Sequence, residues 1–218
     1  MIHLFALLSL LLCGVCYTGF QNSSHFHNTG NRRSLLLLVF GGALLLRLLL
    51  AYTTHGFSND IACFAAWADR IFTLGPGQFY SAEMFTDYPP GFMYVLYLIG
   101  ALRSLLQIPY YSDLHILLLK LPAILCDIAC GFLLYREAVK RLHFSDLQGI
   151  FAASAYLFQP AVILNSSCWG QVDSVYTLMI ILMCLFLMKG NLLPAYAVYG
   201  LGVLLKPQML IFTPILLA

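Results

Sequence analysis

Charge is what this sequence has least of. Only 9% of its 218 residues are Asp, Glu, Lys or Arg, and 61% are hydrophobic. A soluble domain carries roughly 25% charged residues. So few charges cannot cover a water-facing surface, which excludes a soluble globular domain and implies an integral, multi-pass membrane protein. The formal net charge of +2 says little by itself, and no nucleic-acid partner is expected. Metal-ligand spacing is also missing. No set of Cys and His has zinc-site spacing, and the longest polar loop holds no Asp-x-Asp pair, so neither a metal nor another cofactor is expected. The seven cysteines are scattered through apolar runs. Cys13 and Cys16 share CxxC spacing inside a Leu-rich segment, where small residues packing between helices are expected rather than redox chemistry. The first apolar run, residues 2–20, lacks the basic flank of a signal peptide and a small-residue cleavage site, so it reads as a transmembrane helix.

What is present is a series of apolar segments separated by short polar turns. Arg32-Arg33 closes a polar stretch at 21–33 and precedes a second span, Ser34 to Tyr52. The positive-inside rule places that pair in the cytoplasm. The span then delivers His55 to Gly91 to the exoplasmic face. In this loop Ile61, Phe64, Ala65, Ala68, Ile71 and Phe72 recur at helical spacing, which predicts an amphipathic helix from Ile61 to Leu74 lying along the membrane surface. Asn59 or Ser58 is the expected cap, and Gly75-Pro76-Gly77 the expected stop. Further apolar segments run from the Pro89-Pro90 pair to Ile108, then Leu114–Tyr135, Gly149–Leu164, Ser174–Met188, Pro194–Leu205 and Met209–Ala218. Arg136, Lys140, Arg141 and Lys189 are expected in the cytoplasm. If 91–108 and 114–135 both span, that placement fails. Either one of them is re-entrant or surface-lying, or the cluster is outside; the repeat of basic charge at Lys189 favours the first. The last run is too short for a core that needs ~20 residues, so the chain reads as truncated. The expected fold is all-α: a polytopic transmembrane helix bundle. Residues 1–33 form an extra N-terminal helix and linker, and 34–218 the main module with its exoplasmic loop at 53–90.

Removing the hydrocarbon-like sequence leaves four polar patches: Ser58-Asn59-Asp60, Asp87-Tyr88-Pro89-Pro90, Cys168 to Asp173, and Lys206-Pro207-Gln208. The charge-derived topology puts all of them on the exoplasmic face. Acids and a lysine converging at one membrane boundary suggest a site for an anionic ligand with a lipid tail. Each residue also has a plainer use. Asp60 and Asp173 are candidate helix caps, Asp87 a turn residue, and Lys206 and Arg47 side chains that snorkel to the interface. Lys120 and Asp127 are seven apart on one helical face, which predicts a paired or interior structural role. Asn22 and Asn165 open short glycosylation sequons.

The ordered set SNDIACFAAWADRI, FTDYPPGFMYVLYLIG, LLKLPAILCDIACGFLLY, NSSCWGQVDSVYTL and LLKPQMLIF resembles the bacterial GT-C membrane glycosyltransferases, the mannosyltransferase-like group related to protein O-mannosyltransferases and the ALG-type glucosyltransferases. The resemblance covers residues 34–218; the initial helix and the early end depart from it. It implies a GT-C fold whose first exoplasmic loop bears the catalytic carboxylate, matched here by Asp60. It also implies a polyprenyl-phosphate-linked sugar donor carrying mannose or another hexose, and transfer with inversion to an acceptor glycan, lipid or protein. The protein would sit among membrane lipid, in the plasma membrane if bacterial, with its active face exoplasmic. The residues suit that chemistry. A carboxylate within reach of the acceptor hydroxyl serves as base. Lys206, with Arg47 or Arg70 next, supplies positive charge to the departing phosphate. Trp169 and Tyr88 stack on the sugar or shape the groove, Gln171 and Asp173 bond its hydroxyls, and Asp87 and Gln208 complete the expected substrate-binding set. Two rivals stand beside this expectation: a transporter or lipid-binding protein using the same pocket, and an inactive fragment of such an enzyme.

Overall fold

The computed structural model describes residues 2–23, 32–81 and 85–217. Positions 24–31 of the expected linker, 82–84 of the expected loop and Ala218 lie outside the described residues. Every regular element among the described residues is helical. Two helices, α1 (Ile2–Ser23) and α2 (Arg32–Thr53), are followed by α3 (Ser58–Leu74) and α4 (Pro90–Leu105). The longest, α5 (Asp113–Lys140), precedes α6 (Asp146–Leu157) and a short α7 (Pro160–Ile163) that runs into a π-turn at Leu164–Trp169. Then come α8 (Asp173–Leu187), α9 (Leu192–Leu205), a 3₁₀ segment at Pro207–Phe212 and α10 (Thr213–Leu217).

Local chemistry explains most of the starts and stops. The Ser112 side chain accepts the His115 backbone N–H and opens α5. Ser145 and Gln148 form a reciprocal capping box at α6, satisfying two donors that a helix start leaves unpaired. Pro90 stands in the first turn of α4, where a missing N–H costs nothing. The segment expected as one outward span, Gly149–Leu164, is broken instead. Pro160 cannot donate into the preceding turn, and Gln159 before it is extended at φ −62° and ψ 119°. The two halves, Asp146–Leu157 and Pro160–Trp169, meet at 51°.

Two helices, Arg32–Thr53 and Asp113–Lys140, are long and apolar enough to cross a membrane, and the bent pair makes a third if taken as one span. Outward leucines such as Leu37, Leu38 and Leu49 on α2 are exposed. Polar contacts define two ends of the molecule. At one end Arg32 pairs with Asp146 at 3.2 Å, and Arg141 donates to the Met188 carbonyl at 3.1 Å. This gathers the start of α2, the end of α5, the start of α6 and the end of α8. At the other end His55 meets Asp113 at 3.6 Å, and Lys206 meets Asp173. The basic residues expected on one side of the membrane thus share one end of the molecule, and the polar patches share the other.

The parity question turns on α4. It starts beside α9, where Gly91 lies against the Leu204 carbonyl, and it finishes with Arg103 over the Tyr110 ring at 5.7 Å, next to His115 in the first turn of α5. Both ends of α4 therefore sit at the end bearing the polar patches. Its 16 residues reach about 24 Å, short of a hydrocarbon core of about 30 Å.

The expected apolar stripe on α3 is present but is not turned toward lipid. Ile61, Phe64, Ala65, Trp67, Ala68 and Ile71 are buried in one cluster with Phe92, Met93 and Leu96 of α4 and Ile116 and Leu119 of α5. Phe72 is only half-buried. Gly100 makes this contact possible, because a Cβ there would lie 2.5 Å from the Ala68 carbonyl oxygen. A lipid surface would withdraw these side chains from water equally well; what α4 adds is the close backbone packing that a small residue permits. Capping at α3 also differs from expectation. The cap residue is Phe57 with no side-chain bond, and Ser58 and Asn59 lie inside the helix.

Candidate functional site

The site is assembled where α3 and the π-turn meet. The Phe57 N–H donates to the Trp169 carbonyl at 2.9 Å, tying the start of one to the end of the other. Beneath them, buried Lys120 of α5 donates to the carbonyls of Ala51 (3.2 Å), Thr54 (2.7 Å) and Ser167 (2.9 Å), and to the Thr54 hydroxyl at 3.1 Å. One ammonium thus closes the C-terminus of α2 and pins the π-turn. This is the interior structural role expected for Lys120, but its partner is not Asp127.

Gly170 follows the π-turn at φ 91°, in the left-handed region. A Cβ there would lie 2.6 Å from Ile61 Cδ1 and 3.4 Å from Lys120 Cε. Gly170→Ala is expected to cost about 1–2 kcal/mol for the backbone alone, with a further penalty for displacing Ile61. Thermal unfolding in detergent checks this; an unchanged midpoint would contradict it.

A cavity of about 690 Å³ opens beside this junction, lined by Asp60, Asp87, Tyr88, Gln171, Lys206 and Gln208 among polar groups. Apolar walls come from Phe57, Phe64, Trp67 and Phe85. Gln171 is the hub. Its Nε2 donates to Asp60 Oδ2 at 2.5 Å, and its Oε1 accepts from the Tyr88 hydroxyl at 3.3 Å and from Lys206 Nζ at 3.4 Å. Asp60 Oδ2 also accepts from Trp169 Nε1 at 2.9 Å. Among the described residues no group donates to Asp60 Oδ1. Lys206, almost wholly buried, pairs with Asp173, whose other oxygen accepts from Asn165 Nδ2 at 2.9 Å. The Lys206 ammonium also lies 5.7 Å from the centres of the Tyr88 and Tyr176 rings. Burial, reinforced by Asp173, Asp87 and Asp60, raises the Tyr88 hydroxyl well above its ordinary range and keeps it a neutral donor. Burial, then Asp87 and Asp60, raises the Cys63 thiol in the same wall.

Most of the residues singled out from sequence converge here. Asp60, Asp87, Tyr88, Gln171, Lys206 and Gln208 line the cavity; Trp169 and Asp173 touch it through Asp60 and Lys206. Two do not. Arg47 is wholly buried in α2, bonded to Asp127 Oδ2 at 3.2 Å and to the Ala43 carbonyl at 3.2 Å. Arg70 stands two turns beyond Cys63 along α3, away from the cavity, donating to the Phe79 carbonyl and the Ser81 hydroxyl, each at 3.0 Å. Neither arginine lines the cavity; Lys206, itself paired with Asp173, is the cation of the cavity wall. Asn165 is also engaged through its amide nitrogen, the atom a glycan would need.

Sequence reasoning missed Cys63, Phe64 and Trp67 as site residues. A signal was there: with Asp60 they stand at i, i+3, i+4 and i+7, one face of a helix. All seven cysteines are free; Cys16 is buried between helices as expected, whereas Cys13 is exposed. Among the described residues no three of His, Cys, Asp and Glu gather closely enough to hold a metal ion.

Comparison of the chain with protein-family models, with curated proteins and with solved structures finds no match in any of the three.

Proposed function

We propose that this chain is a multi-pass membrane glycosyltransferase of the GT-C type, moving a hexose from a polyprenyl-phosphate donor to an acceptor hydroxyl with inversion. The observation that carries the reading is the setting of Asp60. One carboxylate oxygen is held by Trp169 and Gln171, and the other has no donor among the described residues, on the wall of a cavity large enough for a sugar. A carboxylate fixed in this way is positioned for general-base work.

In the proposed step the acceptor oxygen attacks the anomeric carbon as its proton passes to Asp60. The bond from that carbon to the phosphate oxygen breaks, and its electron pair leaves with the phosphate. Lys206 stands 3.4 Å from Gln171 Oε1 and offers an ammonium to the growing phosphate charge. Tyr88 presents its ring to the sugar, Trp169 fixes the base through its indole N–H, and Gln171 holds base and cation in one register. Asp87 and Gln208 complete the rim. The active face is assigned to the exoplasm because the site lies at the end opposite Arg32, Arg141 and Lys189.

A transporter would draw on intramembrane Lys120 and Asp127 and on Pro-broken helices. The break at Pro160 is present, but Lys120 and Asp127 are both buried and bonded to protein groups.

The test is a transfer assay with the purified full chain, a short-chain polyprenyl-phosphate hexose and a panel of glycan, lipid and peptide acceptors. A covalent glycoside of inverted anomeric configuration is expected. Movement of intact donor across a vesicle wall with no glycoside would overturn the reading in favour of transport.

A further inference from the structure

The end of the molecule away from the site carries a second cavity, of about 580 Å³, lined by Arg136, Glu137, Lys140, Arg141, Met188 and Lys189. Its walls come from the last turn of α5 and the end of α8. Four cations face one acid. Arg136 is held by Glu137 at 2.6 Å, and Arg141 by the Met188 carbonyl at 3.1 Å. Lys140 and Lys189 are exposed, and among the described residues neither ammonium makes a hydrogen bond or ion pair. Helix C-termini attract cations, but two helix ends do not account for a net excess of this size around one cavity. The residues next to these cations in the chain are apolar. Leu142, Met188 and Leu192 are exposed, and Leu193 at the start of α9 is 81% exposed. Cationic groups beside exposed hydrocarbon complement an amphiphile with a negative head.

We propose that this cavity binds the phosphate of an anionic phospholipid, held by Lys140, Arg141 and Lys189, with the acyl chains against Leu142, Met188, Leu192 and Leu193. This rests on the apolar helices reaching a bilayer and not on the proposed transfer reaction, since the cavity lies at the opposite end from Asp60. It assigns the basic end a ligand as well as an orientation. A juxtamembrane Lys or Arg near an anionic surface contributes about fivefold in binding.

Native mass spectrometry of the full chain, titrated in detergent with phosphatidylglycerol and separately with phosphatidylcholine, tests the proposal. Phosphatidylglycerol is expected to bind about 100-fold tighter, and the Lys140→Gln/Lys189→Gln variant to lose about 25-fold of that affinity with phosphatidylcholine unchanged. The preference should also collapse at high salt, where screening shortens to about 3 Å. If the variant fails to fold, the wild-type lipid comparison and its salt dependence decide. Equal binding of the two lipids, or a preference undiminished by the double substitution, overturns the proposal. Displacement of the lipid by equimolar inorganic phosphate also overturns it, showing a site for a soluble anion.

Discussion

Asp60→Asn is expected to lower transfer by about three orders of magnitude, within the 10²–10⁴ range for removal of a general base, while the chain stays folded. The substitution is chosen for what it preserves. An Asn carbonyl oxygen still accepts from Trp169 Nε1 and Gln171 Nε2, the two donors that hold Asp60 Oδ2 in the native chain. The π-turn, the Gln171 hub and the cavity wall therefore keep their partners. What is lost is an oxygen able to take a proton. Turnover should fall with little change in the KM for the donor, because Asp60 is not asked to bind the phosphate. Lys206→Gln is the contrast. It removes the cation beside Asp173 and Gln171, so the donor KM should rise along with the fall in turnover. Single-turnover assays on both variants, with circular dichroism to monitor the fold, separate the two patterns. An Asp60→Asn chain within tenfold of native activity sinks the assignment of the base.

The largest expected effect on stability is at Asp127. Its carboxylate accepts from Arg47 at 3.2 Å, from Tyr156 at 3.2 Å and from Ser166 at 2.6 Å, and both ion-pair partners are wholly buried. Asp127→Leu leaves a guanidinium with no counter-charge in the interior. Removing one partner of a buried pair costs about 3–5 kcal/mol, whereas replacing both with apolar residues of similar volume is often neutral. Arg47→Met combined with Asp127→Leu should therefore recover most of what the single change loses. In a chain of this length the single variant should melt about 10 °C lower. Equal midpoints for the single and double variants would show that the cost arises from packing and not from a stranded charge.

Much of the site was legible before any coordinates, because its parts are short and local. Trp-Gly-Gln-Val-Asp at 169–173, Lys-Pro-Gln at 206–208 and Tyr-Pro-Pro at 88–90 are polar or turn-forming islands in apolar sequence, and such islands collect at the ends of apolar helices. The convergence of Asp60, Asp87, Tyr88, Gln171 and Lys206 on one cavity follows from that. The arginines were not legible in the same way. Arg47 sits in the outer half of α2, so its height along the helix suited the site. Its rotation about the helix axis, set by packing against α5 and α6, turned it to Asp127 instead. Arg70 leaves the apolar stripe of α3, but leaving a stripe does not say which polar neighbour is met, and Phe79 and Ser81 were nearer.

By itself the sequence determined the helical class, the apolar character, the approximate extents of the helices and the separation of basic residues from the polar patches. These depend on composition and on periodicities of a few residues, which every part of the chain carries locally. Only the tertiary structure decided that α4 begins and ends at one end, that the stripe on α3 is covered by protein, and that Gln171 joins Asp60 to Lys206. The bonds involved link residues as far apart as 80 positions for Arg47 and Asp127 and 111 for Gln171 and Asp60. No local pattern encodes such a separation. It is set when apolar helices choose one another for close packing, with Gly100 against Ala68 and Gly170 against Ile61, and the buried polar groups must then find partners among whatever that packing brings near.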